Sequence, residues 1–150
     1  MLTMTRIGNV RNDVKTPIVK GWRKVVSDLV LDEQYQEALD GIEDFSHVLV
    51  IFWMDQAGPP KSLKDHVQCR QELPVAGFFA RRGPSRPNPI GVSAVPVLNR
   101  DKNVLRVQGL DAIDGTPLID IKPYTPAFDK VENPRIPAWC KQVYEIEDYL

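Results

Sequence analysis

Short runs in which apolar residues alternate with polar ones recur along this chain, and most of them predict β-strands. In the segment 104–110, Leu105 and Val107 fall on one face while Arg106 and Gln108 fall on the other, a period of two that is typical of a strand. Further strands are predicted over residues 5–10, 24–31, 92–98 and in a run that stops at Pro123.

The longest apolar run, residues 48–54, is continuous and rich in β-branched and aromatic side chains. A run of this kind is typical of a strand that is buried on both faces, so we expect it at the centre of the fold. Pro96 lies inside the strand predicted for 92–98 and has no N–H to donate. It therefore predicts a sheet edge or a bulge at that point.

Two segments have the spacing of helices. In residues 32–42, an apolar stripe recurs every three or four positions, with Asp32 as a candidate N-cap and Gly41 as the stop signal. A final helix is predicted from Pro137, with an apolar stripe of Trp139, Val143, Ile146 and Leu150. The polar stretch 62–72 predicts a mobile or short helical segment.

These elements predict a mostly β fold, a small antiparallel β-barrel with a few short helices. Short turns join the strands, and some of the strands contain prolines. Both features fit a small barrel better than a parallel α/β sheet. Residues 1–150 are expected to form a single domain, because that length is enough for one core.

Composition places the chain among ordinary soluble proteins, with 43% hydrophobic and 26% charged residues. Its longest apolar run is far shorter than the ~20 residues of a membrane-spanning helix, so we expect no membrane. The two cysteines, Cys69 and Cys140, lie far apart, and no His-Glu-x-x-His or Cys-x-x-Cys motif is present. We therefore expect no metal site and a reduced, cytoplasmic setting.

The near-neutral net charge of −1 hides an uneven distribution. Residues 61–106 contain nine Lys and Arg against three Asp and Glu, and the rest of the chain is acidic. This basic block suggests a face that meets an anion, and a nucleic acid is one such partner.

At the centre of the basic block lies the arginine loop, residues 80–91, with three arginines, three prolines and two glycines. Each proline fixes its own φ and restricts the residue before it, which predicts a loop ordered before any ligand binds. Arg forks presented at fixed angles suit a carboxylate or a phosphate. The alternative is a stiff surface connector with solvated arginines.

Two further polar clusters follow strand-like runs: Asp55 and Gln56 after the central run, and the turn Asp114-Gly115-Thr116-Pro117. Together with the arginine loop they form three candidates for one ligand site. Motifs for dinucleotide or phosphate cradles and for an acyl-transfer serine are absent from the sequence. The pattern of residues therefore predicts a site but names no reaction.

Three segments, 41–48, 79–93 and 109–124, are similar to the TsaA-like (YaeB-like) family. The specific motifs are Arg-Pro-Asn-Pro-Ile-Gly and Asp-Gly-Thr-Pro followed by Asp-Ile-Lys-Pro-Tyr. Family members are methyltransferases that use S-adenosyl-L-methionine to methylate N6-threonylcarbamoyladenosine in the tRNA anticodon loop. The resemblance implies this activity, a tRNA partner, a small antiparallel barrel and a homodimer with the cofactor near the subunit junction.

The resemblance also implies which residues contact the cofactor. Asp55 stands where the family often has His, and a contact near Pro17 is implied as well. The cofactor-binding positions implied are Asp55, Gln56, Arg82, Val92, Asp114, Gly115, Thr116 and Pro117.

Methyl transfer from a sulfonium depends mainly on positioning the acceptor nitrogen, and a carboxylate that takes its proton would help. Asp120 and Tyr124 are the candidate catalytic residues: Asp120 as proton acceptor, and Tyr124, with Lys122, as a substrate contact. Two alternatives remain open at this point. One is a non-catalytic S-adenosylmethionine-binding regulator, and the other is a small-molecule methyltransferase.

Overall fold

A computed structural model describes residues 1–144 of the chain. The strands are β1 (Gly8–Arg11), β2 (Val26–Leu31), β3 (His47–Trp53), β4 (Lys64–His66), β5 (Val75–Gly77), β6 (Ile90–Asp101), β7 (Val104–Gln108) and β8 (Pro117–Pro123). The α-helices are α1 (Pro126–Asp129) and α2 (Ala138–Tyr144). Short 3-10 segments cover Trp22–Lys24, Glu33–Leu39, Ile42–Asp44, Val67–Cys69 and Phe78–Ala80.

Six strands close into an antiparallel barrel in the order β1-β2-β7-β6-β3-β8. The closing seam joins β1 to β8, with Gly8 opposite Leu118. Side chains from every strand of the barrel fill its interior, among them the fully buried Leu29, Leu105 and Val107. The predicted fold class, a small mostly-β barrel with few short helices, is confirmed.

β3 is central, as predicted, because it pairs with both β6 and β8. The expectation that it is buried on both faces is wrong. Its side chains alternate: Val48, Val50 and Phe52 are buried, and the residues between them are half-exposed. A barrel has only one interior, so the second face of a strand points outward.

The segment predicted as a helix over 32–42 forms 3-10 turns instead of an α-helix. The bond from Tyr35 N–H to Asp32 C=O, 2.9 Å, spans three residues, and an apolar stripe at that spacing suits either helix type. Asp32 does not cap the segment with its side chain; its carboxylate accepts hydrogen bonds from Arg6 at 2.9 and 3.1 Å. Gly41 ends the run with φ of +89°, as the sequence predicted.

The polar stretch 62–72 contains a strand, β4, which pairs with β5 in a separate two-stranded hairpin. This hairpin packs on α2 through a small second core of Val67, Leu73 and Val143. The predicted final helix is confirmed over Ala138–Tyr144. Ile146 and Leu150 of its predicted stripe lie outside the described residues.

β6 has two halves with different partners. Residues 97–101 pair with β7, with a register shift between Val97 and Asn99 that marks the bulge predicted near Pro96. Residues 90–96 pair with β3 alone and have no strand on the other side within the described chain. This leaves one strand edge open in an otherwise closed barrel.

Candidate functional site

The three predicted polar clusters lie at the same end of the barrel. Register places Trp53 at the end of β3 opposite Ile90 at the start of β6, and Phe52 opposite Leu118 near the start of β8. At or just beyond these strand ends lie Asp55 and Gln56, residues 80–89 of the arginine loop, and the turn 114–117.

Two of the three arginines in the arginine loop brace the loop from inside. The Arg86 guanidinium donates to the carbonyl oxygens of Arg81, Gly83 and Phe78 at 3.0, 3.2 and 3.0 Å. Arg81 donates to the His66 carbonyl at 3.0 Å, and its guanidinium lies 4.9 Å from the centre of the Phe78 ring. These bonds order the loop without a ligand, but they leave neither arginine as a simple anion ligand.

Arg82 is the arginine of this loop that faces outward. One of its Nη2 protons is donated to the carbonyl oxygen of Val92, and within residues 1–144 no other hydrogen bond of its guanidinium is found. The Val92 side chain is 40% exposed. Arg82 therefore holds a fork of donors beside an apolar side chain, at the open edge of β6.

The loop ends in a close approach between Gly91 and the barrel core. A Cβ on Gly91 would lie only 2.3 Å from two atoms of the Phe52 ring. The absence of a side chain at Gly91 lets the β6 backbone lie directly against this ring. The contact therefore helps to set the position of the adjoining arginine loop relative to the barrel.

The Asp114 turn is bonded to the segment that follows β1. Asp114 Oδ1 accepts from the Asn12 N–H at 3.0 Å, and Oδ2 accepts from Lys15 Nζ at 2.8 Å. The Lys15 hydrogen bond, and then the Asn12 N–H, lower the pKa of the Asp114 carboxyl. Gly115 has φ of +85°, and the buried Thr116 hydroxyl donates to Ile113 C=O at 2.7 Å. Pro117 opens β8 opposite Asn9.

Asn12 is the buried centre of this network, and the sequence did not reveal it. Its Nδ2 donates to Ser27 Oγ and to Ala112 C=O, both at 2.9 Å, and its Oδ1 accepts from Val14 N–H at 2.9 Å. The available signal was position: Asn12 continues the inward alternation of Gly8 and Val10. A polar residue at such a position needs partners.

Asp55 and Gln56 form a tight turn after β3. The Asp55 N–H bonds Trp53 C=O at 2.9 Å, and both residues are exposed. Their side chains make no hydrogen bond within the described residues, so they are accessible at the barrel end.

The candidate catalytic residues lie along β8, away from the Asp114 turn. Asp120 is opposite Ile51 on the outer face, and its Oδ2 lies 2.7 Å from Lys122 Nζ. This hydrogen bond raises the pKa of Lys122. Tyr124 lies at the other end of the barrel beside His47, with ring centres 6.4 Å apart. Seven residues of strand, roughly 23 Å, separate Tyr124 from Pro117.

Replacing Asp114 with Asn should make the free energy of unfolding less dependent on pH in the acidic range. Because its pKa is depressed, the ionised carboxylate stabilises the fold above its usual pKa of 3.8, and this contribution is lost as pH falls through the lower folded value. Urea denaturation should show Asp114→Asn less stable than wild type above pH 3.8, with the two converging in stronger acid. The exposed Asp13→Asn is the control, and a gap that stays constant with pH would contradict the ionic contribution.

No group of three His, Cys, Asp or Glu side chains that could hold a metal ion occurs in residues 1–144. In the same part of the chain, no helix has the length and apolar character that crossing a membrane requires.

Comparisons with known proteins agree on one family. The model of the tRNA-methyltransferase O N-terminal domain matches residues 9–130. An S-adenosyl-L-methionine-binding protein of Archaeoglobus fulgidus is 40% identical, over 85% of this chain and 92% of its own length. The mouse tRNA (adenine(37)-N6)-methyltransferase is 36% identical, over 65% of this chain and 23% of its own.

A solved structure shares the fold. The crystal structure of TrmO from Pseudomonas aeruginosa superposes with a TM-score of 0.73 at 30% identity, over 90% of this chain and 61% of that one. The chain spans 39% of a second Archaeoglobus fulgidus relative and 60% of a Pyrococcus abyssi relative, each described as a probable S-adenosyl-L-methionine-binding protein.

Proposed function

Since this chain belongs to the family of the tRNA-methyltransferase O N-terminal domain, we propose that it is an S-adenosylmethionine-dependent tRNA methyltransferase. The family match confirms the TsaA-like resemblance of segments 41–48, 79–93 and 109–124. The proposed acceptor is N6 of threonylcarbamoyladenosine in the anticodon loop. The activity named for the mouse relative, methylation of adenine 37 at N6, supports this acceptor.

One observation carries the site assignment: Arg82 presents unused guanidinium donors at the barrel end where Asp55, Gln56 and the Asp114 turn also lie. A guanidinium fork suits the carboxylate of the cofactor's methionine part. The half-exposed Val92 gives an apolar surface for its adenine, and the carboxylate of Asp55 suits a cationic group. The turn 114–117 offers backbone groups for the ribose or the adenine.

When bound, the cofactor supplies an electrophilic methyl group. The protein's part is to hold the acceptor nitrogen in line and to receive its proton. Asp120 is the proposed proton acceptor, and the Lys122 ammonium 2.7 Å away orients its carboxylate. Tyr124 is the second proposed catalytic residue, as a contact for the substrate.

A homodimer is part of the proposal. Tyr124 lies at the opposite end of β8 from the Asp114 turn, so a single subunit does not bring them together. The outer face of β3, which includes Ile51 and Trp53, is half-exposed and apolar, and burying it against a second copy would join residues of two subunits into one site. We also propose that residues 1–150 form one domain and that the protein is cytoplasmic, a location consistent with the two free cysteines, Cys69 and Cys140.

Arg82→Ala should reduce methyl transfer while leaving the fold intact. Because the Arg82 side chain bonds only one carbonyl in the described chain, its loss should weaken S-adenosylmethionine binding by roughly tenfold or more, the value of one to two charge-assisted hydrogen bonds. The measurement is incorporation of labelled methyl groups into total tRNA from cells that lack this protein, with cofactor affinity from calorimetry. Arg135→Ala, an exposed arginine elsewhere, is the matched control.

Full activity of Arg82→Ala would show that the arginine loop is not part of the cofactor site.

A second function is favoured by the Archaeoglobus fulgidus relative that this chain covers over 92% of its length, because that relative is described only as binding S-adenosyl-L-methionine. A non-catalytic regulator would bind the cofactor without labelling any tRNA. A small-molecule methyltransferase would give turnover with another acceptor and no labelled tRNA.

A further inference from the structure

Phe79 is held out into solvent at the start of the arginine loop. Its side chain is 87% exposed, and the neighbouring Leu63 is 79% exposed. Large apolar side chains placed together on a surface mark interaction sites more often than isolated ones do. The two are adjacent in space because Phe78 N–H bonds Leu63 C=O at 3.1 Å.

The backbone around Phe79 is fixed from below. Phe78 is buried and anchors the 3-10 turn Phe78–Ala80. Arg86 donates to Phe78 C=O, and Arg81 packs over the Phe78 ring. An aromatic ring on a segment ordered in this way can bind a flat partner without the entropic cost of ordering the loop.

Two adjoining clefts share Phe78 in their walls. The first, of about 390 Å³, is almost wholly apolar and is lined by Leu63, Gly77, Phe78, Phe79, Ala80 and Pro87. The second, of about 270 Å³, includes Lys61, Ser62, Asp65 and Ser85. The apolar cleft and the polar cleft, which carries Lys61, therefore share Phe78 as a common wall.

Charge indicates what this surface can bind. Three of the six arginines of the basic block are ion-paired: Arg70 with Glu72, Arg100 with Asp40 and Glu43, and Arg106 with Asp28. Within the described residues, Lys61 and Lys64 form no ion pair. Lys64 lies opposite Gly77 in the β4–β5 hairpin, at the border of the apolar cleft. Lys61 and Lys64 therefore provide unpaired positive charge beside the two clefts, where Asp65 is the one lining carboxylate among residues 1–144.

We propose that this surface, Phe79 with Leu63, Lys61 and Lys64, binds an unpaired nucleotide of the RNA substrate. The base stacks on the Phe79 ring, and the flanking phosphates meet the two ammonium groups. An apolar ring between cations matches the alternation of base and phosphate in a single strand. This proposal rests on the proposed function, because it presumes that the substrate is RNA.

The test uses the full chain and a short, labelled single-stranded RNA of mixed sequence, with the same RNA annealed to its complement for comparison. Wild type should prefer the single strand. Phe79→Ala should lower that affinity by about tenfold, the usual value of one stacked base, and Phe79→Trp should retain it. Lys64→Gln should reduce the slope of log affinity against log salt by about 0.7.

Phe128→Ala is the matched control, because Phe128 is 88% exposed and lies on α1 after the far end of β8. Unchanged RNA affinity in Phe79→Ala, or an equal loss in Phe128→Ala, would overturn the proposal. So would a loss of RNA affinity that coincides with dissociation of a dimer in sedimentation, because Phe79 would then lie against a second copy.

These measurements need no cofactor, so the two proposals fail separately. A wild-type protein that binds the single strand through Phe79 but does not bind S-adenosylmethionine contradicts the proposed function alone. A protein that methylates tRNA equally well with Phe79→Ala, and binds the single strand as wild type does, contradicts the nucleotide site alone.

Discussion

Gly91→Ala should destabilise the barrel by about 3 kcal/mol, the upper range for inserting a methyl group into a packed core. The new Cβ would lie 2.3 Å from the Phe52 ring, and Phe52 is buried among the other inward side chains of the barrel. Because the ring is packed in the core, the Phe52 side chain, β6 or β3 must shift. Urea denaturation of the purified variant measures the loss.

Two further variants show that the clash is the cause. Gly58→Ala is the control, because a Cβ there would meet nothing within 4 Å, and it should leave stability nearly unchanged. Phe52→Leu combined with Gly91→Ala should be more stable than the sum of the separate losses predicts. Strict additivity of the two changes would show that the Phe52 ring is not what excludes the methyl group.

Asn12→Ala should have a comparable effect on stability and a second effect on the site. The change leaves Ser27 Oγ and Ala112 C=O buried without their donor, and each such group costs about 1–3 kcal/mol. It also frees the segment whose backbone N–H holds Asp114 Oδ1. We expect a loss of about 3 kcal/mol in unfolding free energy and weaker cofactor binding through the loosened Asp114 turn.

Asn9→Ala is the control that separates the loss of a hydrogen bond to the Asp114 turn from the loss of the buried network of Asn12. Asn9 also donates to this turn, at 2.9 Å to Gly115 C=O, but it does so from an exposed position. Its loss should cost about 1 kcal/mol or less. If Asn12→Ala unfolds no more readily than Asn9→Ala, the buried network does not hold the turn. Calorimetric titration of S-adenosylmethionine into both variants gives the second measurement.

The barrel could be predicted because alternation along each strand reports which residues face a single interior. Val48, Val50 and Phe52 show the limit of that signal. The run 48–54 is apolar at every position, so the sequence could not show that half of it faces outward. The apolar residues on the outer face of β3 do not pack in the barrel core. The homodimer proposed above would bury them against a second subunit.

The order of the arginine loop could be predicted, but not the separate roles of its arginines. Prolines restrict φ wherever they occur, so stiffness follows from composition. Which guanidinium turns inward depends on carbonyl oxygens brought close by the fold, as Arg86 shows with Phe78 and Gly83. Asp32 is a similar case. Its local sequence resembles an N-cap, but its carboxylate accepts hydrogen bonds from Arg6, which lies 26 residues away in the chain.

The pairing of β1 with β8 determines when the barrel can close during synthesis of the chain. Gly8 and its partner Leu118 are more than a hundred residues apart, so the barrel stays open during synthesis until β8 has left the ribosome. At about 5–20 residues per second, this delay lasts about 5 to 20 seconds. Until then one edge of β1 has no partner, and the segment around Asn12 has no Asp114 turn to bind. The proposed cofactor end of the barrel therefore cannot form until the chain has been made as far as β8.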